Sequence, residues 1–569
     1  MQHLLLILPF LSVLFAGCTP HHPPVEQRTV ERIETMPSAP ERFRLADWRQ
    51  IALDLDRYLY DFDARGEDLP LIWLDSAQRN VPIVSYGLYT ALGDRRQGPD
   101  RNNGEHHEAI GVLGSIYGAT LAGIDKSRQQ GMNWVRMCQN YFNSATGWNI
   151  VMNNTCPEAG ALGGGYGRDF WYDIFPNMLF YAIGGHYPDV EGVDPIMRTV
   201  AERFTAADSV IMHTVGSYRM REFDFGRMQP GNRERMVQSD AAAGFAYVLY
   251  GAWCKYGDPR YLRAAQSAMN ALNAETASPF YEVIMPFAVY LAARMNAEQG
   301  TAYDVAKFLD WTFDGQSAAR PGWGVLTGRF GSYAVDGLCG SVSEEYAFAM
   351  NTFALMWPLL PAVRYDQSFA RAVGRWAVNA VGNARYFYPQ YVEPSNQSLT
   401  DPSPARGVIA YEGFRRYDKY ADPRLRGVEG IATGDGPQWV AGNPQHSMLS
   451  IYGSAYAGIF GATVRPTNIE KILQLDCTAT DLFARAYPTY LYYNPYGERK
   501  SVRIDLGSET CDLYDIVSRS YLCRGKSGVQ YFDLAPDTAR VVVLLPAGGR
   551  RSIRNGVLYV DRIAVDFRL

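Results

Sequence analysis

From about residue 46 to 475 apolar residues recur with the period of a helix, in segments such as "AAAGFAYVLYGAWCKYG" and "SFARAVGRWAVNAVGNARYF", and short Gly, Pro and Asp turns cut these segments apart. The turns share a phrase. "KYGDPRYLRAA" (255–265), "KYADPRLRGVEG" (419–430), "RYDQSFARAVGRW" (364–376) and "HYPDVEGVDPIMRTVAERF" (186–204) each read as a helix end, an Asp-containing turn and a new helix. Pro directly after Asp suits a helix start, where its missing N–H is harmless and the Asp caps. Spacings of roughly 55 to 110 residues mark helix hairpins of a repeating array with room for about twelve helices.

From about residue 476 the period changes to two. "PTYLYYNPYGERKSVRIDLG", "VQYFDLAPDTARVVVLLPAGG" and "IRNGVLYVDRIAVDF" are short β-rich runs, and Asn555-Gly556 is a strong hairpin signal. The length and repeat style of the helical part resemble the (α/α)6 toroid, in which six inner helices are wrapped by an outer ring. The order of runs at the C-terminus resembles the small all-β domain that follows many glycosidase domains. The resemblance implies a mainly α protein: an (α/α)6 toroid over 46–475, then a small antiparallel β-sandwich over 476–569.

The first residues carry a different signal. "LLLILPFLSVLFAGC" has the length of a signal-peptide core, is too short for a comfortable membrane span, and stops at Cys18. It resembles the lipobox of bacterial lipoproteins, with Phe15 in place of the usual Leu and no Lys or Arg before the apolar run. The resemblance implies a signal over 1–18, a lipidated Cys18, a linker over 19–45 and a protein held on the bacterial cell envelope, facing the periplasm or the exterior. In an oxidising compartment Cys511 and Cys523, flanking a hairpin, read either as a bridge or as free buried thiols. No Cys/His spacing resembles a zinc site, and no cofactor is expected.

A formal charge of −5 and a pI near 6.0 provide no basic field for a phosphate backbone, which argues against nucleic-acid binding. The 38 Tyr and 11 Trp suit sugar faces or the packing of a large core equally. Taken with the export signal, the chain resembles a carbohydrate-active enzyme acting on a poly- or oligosaccharide. Toroids of that kind serve both glycoside hydrolases and polysaccharide lyases, so residues have to choose.

Hydrolysis needs two carboxyl groups across the scissile bond. Three clusters qualify: "YGRDFWYDIF" with Asp169 and Asp173, "DGLCGSVSEEYAFAMN" with Asp336, Glu344 and Glu345, and "ATGDGPQW" with Asp435 and Trp439. If 169–173 is helical, the two Asp share one face, and their repulsion raises one pKa, the means of keeping a carboxylic acid protonated. Arg168, Trp171 and Tyr172 would contact substrate. Glu344 and Glu345 fall in the first turn of an expected helix "YAFAMNTFALMW", where acids also serve as caps. The expected pair is Asp173 with Glu345, tuned by Asp169. Elimination would rest elsewhere: "RNNGEHHEAIG", with Glu105, His106 and His107, loosely resembles the Asn-Asn-His motif of toroid alginate and heparin lyases, and His446 is a second candidate base. A third reading is a lipoprotein that binds glycans without cleaving them.

Overall fold

The structure is a computed structural model and describes residues 22–155, 169–234, 236–320 and 322–569; the lipobox, Cys18 and Arg168 lie outside them. Six helices are buried almost all round: Ala109–Ala122, Trp171–His186, Ala241–Tyr256, Phe287–Gln299, Ala349–Tyr365 and Ala457–Thr463. Each packs on the next, and the sixth packs back on the first, so the order is cyclic. Their continuous apolar sequences follow from this, since a helix enclosed on all sides has no polar face to show.

A second set of helices covers the first, and all of them but Ala370–Asn383 are one-sided. Trp48–Leu59 lies on the first and sixth ring helices and buries Trp48, Ile51, Leu55 and Leu59. Val193–Thr214 covers the second and third, Pro259–Asn273 the third, Val305–Phe313 the fourth, and Ala370–Asn383 the fifth. The ring closes through small residues: a side chain placed on Gly118 or Gly458 would run into the backbone of the other helix segment. The Tyr456 hydroxyl also donates to the Ile110 carbonyl at 3.1 Å.

The Asp turns behave as their sequence requires in three of four cases. Asp258 accepts from the Arg260 N–H at 2.8 Å, with Pro259 opening the helix. Asp366 caps the turn before Ala370–Asn383, and Val193–Thr214 follows Gly192. "KYADPRLRGVEG" starts only the short turn Pro423–Leu425, because Gly427 and Gly430, both at positive φ, stop it.

Two expectations are corrected here. Residues 46–475 are not helical throughout: five strands of three residues, Ile431–Thr433, Gly413–Arg415, Tyr346–Phe348, Cys339–Ser341 and Trp323–Val325, form an antiparallel sheet in that order. Glu344 and Glu345 therefore sit in the turn between two of these strands, and the helix begins only at Ala349.

At the C-terminus a six-stranded sheet runs Val464–Pro466, Leu473–Asp476, Thr489–Tyr493, Ala539–Pro546, Cys511–Asp515, Ser520–Lys526. Its first strand lies upstream of residue 476. Tyr492, Leu513 and Val542 face the pair Lys500–Asp505 and Val529–Leu534 across a small core with Val502, Ile504 and Phe532. Alternate residues Leu491, Tyr493, Val541 and Val543 point the other way and join the large core of the helices. Arg554 pairs with Val557 across Asn555 and Gly556, both at positive φ, as the Asn-Gly signal predicts. Cys511 and Cys523 are free thiols, because the ladder sets Cys511 against Lys526 and Cys523 against Leu513.

Candidate active site

A cavity of about 470 Å³ opens at the N-terminal ends of the ring helices. Glu108 stands directly before the first of them, and Asp169, Trp171 and Tyr172 begin the second. Tyr281 and Glu282 lie in the turn before the fourth, and Phe348, Met350 and Asn351 open the fifth. Tyr452 comes from the short helix Ile451–Ser454. Glu412, Asp435 and Trp439 reach the cavity from the small sheets and loops beside the ring. N-terminal ends present unpaired N–H groups and a positive partial charge, which suits carboxylates and developing negative charge.

Three glutamic acids of this lining are held away from their ordinary titration range. Burial pushes Glu282 up to about 7, and the nearby Asp169 charge adds to it against the opposing pull of Arg320 and Asn351. Its backbone is left-handed, at φ 58, a conformation that costs a non-glycine residue about 1–2 kcal/mol and is found where surrounding structure enforces it. Asn351 enforces it here: its amide donates to the Glu282 carbonyl at 2.9 Å and to its carboxyl at 3.3 Å. The Arg320 guanidinium is 3.9 Å away.

Glu412 is likewise raised to about 7, by burial first and then by Asp435. It accepts from the Tyr452 hydroxyl at 2.7 Å, from the Tyr346 hydroxyl at 3.2 Å and from the Asp435 N–H. Burial raises Glu108 to about 7 as well, opposed by Thr90, whose hydroxyl donates to it, and by Arg96. A carboxyl group poised near 7 can give a proton at one step and take one at another.

The remaining charges are paired. Asp169 meets Arg221 at 3.0 Å, and the Tyr281 hydroxyl points to its second oxygen at 3.5 Å. Arg96 is clamped by Asp94 and lies over the Trp439 ring at 5.3 Å. Asp435 accepts from Tyr420 at 2.9 Å and pairs with Lys419 at 3.3 Å and Arg415 at 3.5 Å. Burial pushes the Tyr172 and Tyr452 phenols well up. Among the described residues no group of three or more His, Cys, Asp or Glu is arranged to hold a metal ion, and no helix is long and apolar enough to cross a membrane.

Of the residues singled out in the sequence, the structure brings Asp169, Trp171, Tyr172, Asp435 and Trp439 together on this cavity. It does not bring Asp173 and Glu345 together. The helix starts at Trp171, so Asp169 precedes it, and Asp173 is fully buried in the first turn, outside the cavity lining. Glu345, at φ 51, pairs with Arg416 at 2.7 Å, and Glu344 is exposed 3.5 Å from Arg320.

Glu105 sits on a surface turn with Asn103. Neither it nor His106, whose imidazole burial pushes down, lines the cavity. His107 is buried against Trp73, bonded to Asn102 at 2.7 Å, and pushed down to about 4 by burial. His446 pairs with Asp68 at 2.5 Å, which raises its pKa, and it too is off the cavity.

A criterion of paired acids does not select Glu108, Glu282 or Glu412. Their own signal is a single carboxylate in an apolar or aromatic run next to a buried element: "PFYEVIMPF", "IAYEGF" and "HHEAIGVL".

No family model matches the chain, and no curated protein matches it. Among solved structures it is similar to a GH127 β-L-arabinofuranosidase from Geobacillus stearothermophilus T6, at 11% identity over 92% of this chain and 85% of that one, with a TM-score of 0.33. It is also similar to a second GH127 β-arabinofuranosidase, at 11% identity over 93% and 84% with a TM-score of 0.34. A third is a glycoside hydrolase, at 10% identity over 80% and 76% with a TM-score of 0.33. Identities this low transfer no residue role to this chain.

Proposed function

We propose that the cyclic helices are the inner ring of an (α/α)6 toroid and that the protein is a glycoside hydrolase acting on a poly- or oligosaccharide in the cavity at its mouth. The observation that carries this reading is one aromatic-lined cavity that is also lined by three glutamic acids, the buried Glu108 and Glu412 and the partly exposed Glu282. Trp171, Tyr172, Trp439 and Tyr452 offer flat faces for sugar rings.

Glu282 is the general acid. Its burial outweighs the Arg320 guanidinium at 3.9 Å and the one amide donor at 3.3 Å, and the Asp169 charge adds to the resistance to ionisation. Glu412 is the second carboxyl. Its three hydrogen bonds favour the charged form, so of the two it is the better placed to act as base or nucleophile.

Elimination is less well supported, since His106, His107 and His446 lie away from the cavity and the phenols of Tyr172 and Tyr452 resist losing a proton. The test is a glycan panel with the purified protein, read for reducing ends and for the absorbance of unsaturated uronates together. Reducing ends without that absorbance, abolished in Glu282→Gln, support hydrolysis. The absorbance supports a lyase, and neither signal leaves a binding protein.

Attachment to the cell envelope through Cys18 belongs to the same proposal and rests on the sequence "LLLILPFLSVLFAGC". Cys18→Ser is expected to leave the membrane pellet after a high-salt wash; retention there would refute the anchor.

A further inference from the structure

A second, larger hollow of about 1000 Å³ lies apart from the active-site cavity. The small five-stranded sheet separates the two. Phe348 lines the active-site cavity, and its register partner Gly413 shares its face. Phe414, the next residue, faces the opposite way and packs on Tyr333 at 5.3 Å and Tyr386 at 5.9 Å, which line the second hollow.

Four guanidiniums line this groove, those of Arg42, Arg44, Arg385 and Arg406, against two carboxylates, Glu393 and Asp401. Among the described residues none of the four is within salt-bridge distance of an acid. Arg44 lies over the Tyr391 ring at 5.0 Å and Arg406 over the Tyr58 ring at 5.7 Å. Arg385 is buried; it donates to the Gly382 and Arg42 carbonyls and to the Tyr386 hydroxyl. Burial, and then the like charge of Arg44, hold its guanidinium below the usual range. Elsewhere in the molecule arginines close on carboxylates, as Arg219 does on Glu275 and Arg540 on Asp515. A cluster of like charges around an open groove is relieved by an anion, and the forked guanidinium matches carboxylate and sulfate groups.

We propose that this groove is a non-catalytic binding site for an anionic glycan, with carboxylate or sulfate groups held by Arg44, Arg385 and Arg406 and a sugar ring laid on Tyr391. The site uses none of the cavity glutamates and stands whether or not the hydrolase reading does.

Titration calorimetry of the full chain tests it, with a galacturonate hexamer, a sulfated hexasaccharide and neutral cellohexaose as probes, alongside vesicles containing phosphatidylserine. Saturable binding of at least one anionic hexasaccharide is expected, at least tenfold tighter than cellohexaose and weakening with salt. Arg44→Ala/Arg406→Ala, at two exposed positions, should weaken it at least tenfold, and Tyr391→Ala should weaken it separately. Equal binding by parent and double variant, no preference over cellohexaose, or no binding of either anionic probe would each overturn the proposal. Binding of the anionic vesicles alone, lost in the double variant, would also overturn it and identify the groove as a membrane contact.

Discussion

The two ends of the ring helices handle charge in opposite ways. At the N-terminal mouth, Glu108, Glu282 and Glu412 surround a cavity and are raised to about 7 because burial is not matched by pairing. Toward the C-terminal ends, Arg294 and Arg364 converge on one buried carboxylate, Asp481, which also accepts from the Tyr290 hydroxyl at 2.7 Å and the Tyr365 hydroxyl at 3.0 Å. The fourth ring segment shows both in one stretch, with Glu282 before the helix and Arg294 within it. Filled and paired, the lower cluster holds the C-terminal region to the helices. Open and under-paired, the upper one is available for chemistry.

The sharpest way to break this contrast is to unpair the lower end. Asp481→Asn keeps volume but leaves the buried Arg364 guanidinium without its anion and Arg294 with Glu298 alone, and a loss of about 3–5 kcal/mol is expected in denaturant unfolding. Activity per folded molecule should be unchanged; a variant as stable as the parent would show that the cluster is not structural. At the upper end the signs reverse. Glu282→Gln is expected to fold normally and to lose at least about 10²-fold in kcat, and normal turnover by this variant would remove Glu282 from the mechanism.

The glutamates also give stability a pH dependence. Their folded pKa of about 7 lies above the ordinary 4.5, so the native state keeps protons that the unfolded chain has lost. Their contribution is therefore full below about pH 4.5 and is lost as pH rises through about 7, by up to about 3 kcal/mol for one group. Glu412→Gln should flatten the fall in Tm between these values, and an unchanged slope would contradict the burial of its charge. The smallest effect concerns Asp169. Asp169→Asn removes the charge that opposes ionisation of Glu282, so the high-pH limb of the kcat/KM profile should move to lower pH by about a unit or less; a limb that stays put would separate the two groups.

The contrast also explains what was legible in the sequence. Continuous apolar runs gave the ring helices, and Asp258-Pro259 and Asn555-Gly556 gave a cap and a hairpin, because each is local chemistry with one local outcome. The five-stranded sheet escaped because strands of three residues, such as Gly413–Arg415, are too short to show a period. Aromatic neighbours led to Asp169, Trp171, Tyr172, Asp435 and Trp439, which line one cavity. Paired acids led away from the cavity: Glu344 and Glu345 are adjacent in an outer turn, where solvent and the guanidiniums of Arg320 and Arg416 relieve them. Acids drawn together in the fold, such as Glu282 and Glu412, are isolated along the chain.

Closure of the ring across Gly118 and Gly458 has a consequence in time. The Tyr456–Ile110 hydrogen bond joins residues 346 positions apart, so the first helix cannot meet its last neighbour until nearly all of the helical part has left the ribosome. Contacts this distant in sequence make folding slow and leave apolar surface open to aggregation meanwhile. The seven-residue segment Ala457–Thr463 is thus the latch of the ring, and the nascent chain remains an open arc until it arrives.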